Sequence, residues 1–151
     1  MEFILFLSKI DKEIIELINK SNHSIEENTA ICLLDKKFVG FYKRREKVIV
    51  ICTKNAKKLG GYRKDKRYDN HKTNIYIRRA LRHEATHLVQ SCNKDKATGV
   101  IKNIEDKIHA RKLKALSSSV RISGNYNKEL EAYVMEEKAG KVKEIIKTYC
   151  L

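Results

Sequence analysis

His83-Glu84-Ala85-Thr86-His87 sets two imidazoles four residues apart, with a carboxylate beside the first. On a helix, residues i and i+4 share a face, so His83 and His87 can reach one metal ion together. Imidazole nitrogen suits Zn2+, and two such ligands leave positions for a third protein ligand and a water. Glu84 then stands where it can take a proton from that water rather than bind the metal. The plainer alternative is a pair of solvated histidines beside a surface charge.

A helix must carry these residues, and the flanking sequence supplies one. Ile77, Leu81, Ala85, Leu88 and Cys92 fall on one arc at helical spacing. Arg78, Arg79, Arg82, Thr86 and Gln90 lie largely off that arc, and the two histidines project from a third side. One face can therefore pack on a core while another lines a cleft. Thr73 or Asn74 is the expected N-cap, and the helix should end near Cys92.

The rest of the chain reads as elements able to support that helix. Residues 8–20 form an amphipathic pattern with Ser8 as N-cap and Ile10, Ile14, Ile15, Leu17 and Ile18 on the apolar side. A polar connection is expected over 21–28. Three β-rich runs follow at 29–34, 37–43 and 47–53, with spacers of hairpin length, and predict an antiparallel sheet. Gly40, inside the second run, marks a bulge or a close approach by another segment. A basic stretch with interleaved tyrosines spans 62–68. Residues 101–116 have a helical pattern that Ser117-Ser118-Ser119 should break, and Gly124-Asn125 marks a turn. Asn127 is the expected N-cap of a last helix over 128–149, with a stripe of Ala132, Met135, Ala139, Val142, Ile146 and Tyr149.

At 151 residues the chain is one ordinary domain, 1–151, and 42% hydrophobic residues argue against disorder throughout. The formal charge of +14 could attract nucleic acid, an acidic partner or an anionic surface, but it is spread along the chain as solvated faces would be. No stretch is long and apolar enough for a transmembrane segment. The opening apolar run is short and follows Glu2 instead of a basic segment, which predicts a cytoplasmic protein. Cys32, Cys52, Cys92 and Cys150 form no C-x-x-C pair and are expected as buried free thiols, with a Cys32–Cys52 bond open if their strands are neighbours.

Two helical histidines need a third ligand. A metzincin would have histidine where Asn93 stands and glycine where Gln90 stands, which removes that option. His109 is one candidate. The stronger one lies in Glu129-Leu130-Glu131-Ala132-Tyr133. With His83-Glu84-x-x-His87 upstream, this stretch resembles the gluzincin-type zinc metallopeptidases, in several of which a second helix carries Glu-x-x-Ala and the glutamate is the ligand. Tyr133 occupies the place where Asp or Asn is commoner. The resemblance implies Glu129 as ligand, with Glu131 in reserve. On a helix Glu129, Ala132 and Glu136 share a side, and a small Ala132 lets two helices approach closely. The resemblance also implies a strand along the cleft able to pair with extended substrate, for which 47–53 is the expected equivalent.

The expectation is a single α+β, zincin-like domain: N-terminal helix, small antiparallel sheet, motif helix, then C-terminal helices including the glutamate-ligand helix. His83, His87 and Glu129 hold Zn2+, and Glu84 is the catalytic base of peptide-bond hydrolysis. Tyr126, Tyr133, His109 and Arg121 are candidate oxyanion donors. One rival is a basic nucleic-acid-binding module that uses Arg63, Lys64, Lys66, Arg67, Arg78, Arg79 and Arg82. Another is a zinc-binding regulator of the same fold with little catalysis.

Overall fold

Ser8 begins the first helix. Its hydroxyl accepts the Asp11 N–H (3.4 Å) while the Asp11 carboxylate accepts the Ser8 N–H (3.2 Å), a reciprocal capping box. The helix α1 (Lys9–Lys20) follows and buries Ile14, Leu17 and Ile18, as its periodicity predicts. The structure is a computed structural model and describes residues 1–65 and 67–151; Lys66 of the basic stretch lies outside the described residues.

The sheet differs from the expected one. Its strands are β1 (Ser24–Glu27), β2 (Gly40–Lys43) and β3 (Val48–Ile51), in the order β1-β3-β2. Strands β2 and β3 form the expected antiparallel pair, with Phe41 opposite Val50. On its other side β3 pairs with β1 in parallel, Ile25 opposite Ile49, so the sheet is mixed. Residues 29–34 are not a strand but a 3-10 turn, Ala30–Leu33. Only Cys32 of that turn is buried, whereas Leu33 is 87% exposed. Residues 24–27 read as a connection because Ile25 alone buries an apolar side chain there. Their polar end is structural: the Glu27 carboxylate accepts the N–H groups of Glu2 and Phe3 and the Thr53 hydroxyl, holding the N-terminal 3-10 turn Glu2–Phe6.

Strand β3 is buried along its whole length because it has two covered faces. Ile49 and Ile51 enter the main core with Ile14, Ile77, Leu81 and Ile146. Val48 and Val50 enter a smaller cluster with Cys32 and Cys52. The central position of β3 also removes 47–53 as a strand open to substrate. That position belongs to β2, the edge strand packed on the motif helix.

After the short helix α2 (Thr53–Leu59), the motif helix α3 (His71–Cys92) starts at Asn70, earlier than Thr73, and runs to the expected end. Residues 101–112 hold two short 3-10 turns, and the next helix, α4 (Leu113–Ser123), passes through the serines expected to break it. Gly124, with φ of 72°, ends it in the left-handed conformation that glycine adopts without penalty. The expected helix 128–149 is two helices, α5 (Tyr126–Met135) and α6 (Ala139–Cys150). Asn125, not Asn127, caps α5 by accepting the Lys128 N–H (3.0 Å). Among the described residues the chain is thus α+β, with six helices and three strands.

Arg82 explains how a break between α5 and α6 is stable. Its guanidinium donates to both oxygens of the fully buried Asp11 carboxylate (2.8 and 3.1 Å) and to the backbone carbonyl of Glu136 (2.9 Å). One cation from α3 therefore anchors α1 and satisfies a carbonyl at the end of α5.

None of the four cysteines is the free thiol expected: the Cys32–Cys52 bond left open by the sequence is present, and a Cys92–Cys150 bond, which was not foreseen, joins it. Cys32 pairs with Cys52 and Cys92 with Cys150, at Cα separations of 5.6 and 5.4 Å. The second bond joins the last turns of α3 and α6. In the chain-entropy treatment, a loop of this length contributes about 4 kcal/mol by restricting the unfolded chain. A Cys92→Ser/Cys150→Ser variant should therefore unfold at lower guanidinium concentration, with a stability loss of about 2–4 kcal/mol. Unfolding that coincides with the wild type would remove this staple from the account.

Candidate metal centre

Helix α3 presents His83 and His87 on one side, with Nε2 atoms 3.1 Å apart. Helix α5, whose Ala132 is fully buried, packs on α3 and brings the Glu129 carboxylate to both rings. The Glu129 oxygens lie 3.5 Å from each Nε2. Zinc bound tetrahedrally at its usual ligand distances requires neighbouring ligand atoms about 3.3 Å apart. The three residues therefore fit such an ion, and among the described residues they are the grouping able to hold one.

The outer nitrogens determine which ring atoms are available. Gln90 donates its amide to the Lys128 carbonyl and to the Glu131 carboxylate (both 3.0 Å), so its oxygen faces His87 Nδ1 at 2.8 Å. His83 Nδ1 donates to Glu136 Oε1 at 2.9 Å. Both rings thus point their Nε2 lone pairs inward, with a carboxylate alongside. Three electron-rich atoms this close repel one another unless a cation lies between them. In the absence of a metal ion, a proton shared between His83 and Glu129 can supply that positive charge. Burial lowers the His83 pKa, but its bonds to Glu129 and Glu136 outweigh that and raise it to about 10. Burial raises Glu129, and the two imidazoles outweigh it and hold the carboxyl well below the usual range.

Sequence reasoning placed Glu136 on the correct side of the helix and missed its task. It orients His83, and the ammonium of the buried Lys112 holds its other oxygen at 2.8 Å. Gln90, off the apolar arc and at the position where a metzincin would have glycine, likewise gives no sign in the sequence that it orients His87. The signal for Glu136 was its spacing of one further helical turn beyond Glu129 and Ala132. Lys112 had none, because it comes from the irregular stretch before α4. Tyr133 stacks its ring edge-on against His83, centroids 4.6 Å apart, and its hydroxyl bonds Ser119 at 2.7 Å.

Glu84 lies beside the triad, and burial pushes its carboxyl up. Gly40 of β2 passes directly over it: a Cβ there would come within 2.9 Å of Glu84 Cγ and 3.2 Å of Ala80 Cβ. The close approach expected at this glycine is therefore to the motif helix itself. Two cavities flank the triad along β2, and both include His83 and Glu84.

The other sequence candidates separate clearly. Glu131 is buried and accepts from the Thr98 and Gly99 N–H groups, the Thr98 hydroxyl and Gln90, so it is a structural anchor and not a ligand. His109 is exposed and lines a different cavity, away from His83. Of the four oxyanion candidates, Tyr133 borders a cavity containing His83 and Glu84, whereas Tyr126 and Arg121 are exposed. The cations of the nucleic-acid reading are largely engaged within the fold. Arg78 donates to the Phe6 carbonyl, Arg79 pairs with Glu137, Arg82 with Asp11, and Arg67 with Asp65. Tyr62 packs edge-on against Phe6, and Arg63 covers the ring of Tyr68. No helix among the described residues is long and apolar enough to cross a membrane.

Two substitutions distinguish ligand from anchor. Glu129→Ala should abolish stoichiometric zinc, measured by atomic emission, while folding is retained; Glu131→Ala should lower thermal stability first. Retention of full zinc by Glu129→Ala would remove that carboxylate as a ligand. Because His83 carries a proton below its raised pKa, metal must displace it, so affinity should rise with pH by up to about tenfold per unit below that pKa. Proton release in calorimetry across buffers measures this directly, and zinc affinity independent of pH would contradict it.

Comparison with curated proteins and with solved structures returned no match. A family model described as a domain of unknown function (DUF8637) matches residues 3–151. The chain covered by that match is nearly the whole sequence, and the protein belongs to this family.

Proposed function

We propose that the protein is a zinc-dependent metallopeptidase with a zincin-like arrangement of the gluzincin type. The observation that carries the reading is the convergence of His83, His87 and Glu129 within 3.5 Å contacts, beside Glu84, in a cleft bordered by an edge strand. Zinc held there would lower the pKa of a water toward neutrality and polarise a substrate carbonyl. Glu84 receives the proton of the attacking water on its carboxylate and returns it to the leaving amine. Its partial burial raises its proton affinity, which suits a base that must also act as an acid. Glu136 and Gln90 hold the two rings so that Nε2 of each faces inward. The open edge of β2 offers backbone groups to which an extended peptide can add as a further strand.

Cytoplasmic placement remains a proposal drawn from the sequence, and the two disulfides weigh against it. Glu84→Gln tests the reaction. It should bind zinc as the wild type does and lose peptide hydrolysis by about a thousandfold or more, in the range expected of a general base. Unchanged hydrolysis would remove Glu84 as the base. Zinc binding with no hydrolysis by either protein would instead identify a regulator of the same fold.

A further inference from the structure

The two cavities beside the triad differ in chemistry. The first, of about 610 Å³, reaches toward the N-terminal part of α3. Its wall includes Lys37, Arg79, Arg111 and Lys112. Two of these cations are already committed: Lys112 bonds Glu136 and Glu137, and Arg79 bonds Glu137 at 2.7 Å. The other two are not. Lys37 is exposed and forms no ion pair among the described residues. Arg111 is 62% exposed and only 3.9 Å from Glu137, a contact that solvent screens. This side therefore presents two available cations at the mouth of the cleft.

The second cavity, of about 370 Å³, lies toward the C-terminal part of α3. Its walls include Phe41 and Ile122, which the first cavity lacks, and Ile122 is 82% exposed; Phe38 lines both cavities. Arg44 and Lys128 are also there, but both pair with Asp95 (2.8 and 3.2 Å), which removes much of their field. Gly40 begins β2: Lys37, in the segment before the strand, lines the first cavity, and Phe41, the next residue of the strand, lines the second, with Glu84 directly beneath the glycine. Successive residues of an extended chain advance about 3.4 Å, so a peptide crossing the triad would meet both environments within a few residues.

We propose that the cleft selects a peptide segment with a carboxylate on the Lys37/Arg111 side of His83 and a bulky apolar side chain on the Phe41/Ile122 side. The proposal rests on the reading that the cleft takes peptides. The carboxylate can come from an Asp or Glu side chain or from a chain terminus; the chemistry that Lys37 and Arg111 recognise is the same.

Binding of short fluorescent peptides to zinc-loaded Glu84→Gln protein tests this without cleavage. A peptide containing Phe and Glu should bind about tenfold more tightly than its Glu→Gln counterpart, the scale of a partly desolvated charge pair. Lys37→Glu/Arg111→Glu should remove or invert that preference, and Ile122→Ser should weaken the Phe-dependent part. If amidating the C-terminus has the larger effect, the carboxylate recognised is the terminal one, and the proposal stands with that source. Equal binding of the charged, neutral and amidated peptides overturns it, as does binding of none. Cleavage of a random peptide mixture by wild-type protein is scored separately. Hydrolysis with flat peptide binding would overturn the selectivity and leave the peptidase reading intact.

Discussion

Two imidazole nitrogens and a carboxylate, held to within 3.5 Å of one another inside the protein, form a grouping that positive charge, from a proton or a metal ion, stabilises. Neither ring can turn to escape that contact. Glu136 fixes one through Nδ1 and Gln90 fixes the other, and each of these is held in turn, by Lys112 and by Glu131. A proton on His83 can supply that positive charge, because its bonds to Glu129 and Glu136 outweigh burial and favour the charged ring. The fold thus maintains a convergence of donors with outer groups that are themselves hydrogen-bonded. A polar network of this kind defines a single geometry because leaving any member unpaired in the interior is costly.

The neighbouring helices are arranged to sustain this convergence. Helix α5 must cross α3 to deliver Glu129 and Glu136, whereas α6 must lie along α1 and α3 to close the core. One straight helix could not do both, and the chain turns between Met135 and Ala139. Arg82 makes that turn tenable by satisfying the Glu136 carbonyl while neutralising the buried Asp11. It sits immediately before His83, so the same turn of α3 that offers the first ligand also secures the helix that supplies the third. Part of the positive charge of this chain serves such internal roles, as Arg78, Arg79 and Lys112 also illustrate. Of the cations lining the first cavity, Lys37 and Arg111 are the most available, Arg111 holding only a solvent-screened contact to Glu137.

The sequence by itself determined the parts governed by short-range spacing. Two histidines four residues apart face one way on any helix, and Ser8 with Asp11 three residues on caps any helix that follows. The motif helix, its end at Cys92 and the β2–β3 hairpin follow from such local patterns, whereas the preference for Glu129 over Glu131 came from the family resemblance. Tertiary structure decided what depends on partners distant in the chain. The parallel pairing of β1 rests on Ile25 meeting Ile49, and the Glu27 carboxylate there caps a turn at the far N-terminus. The break between α5 and α6, the Cys92–Cys150 bond and the clasp of Lys112 on Glu136 likewise have no local signature. Backbone propensity is a property of neighbouring residues. Which polar group ends beside which is set by packing, because a buried charge is stable only where the rest of the fold brings its counterpart.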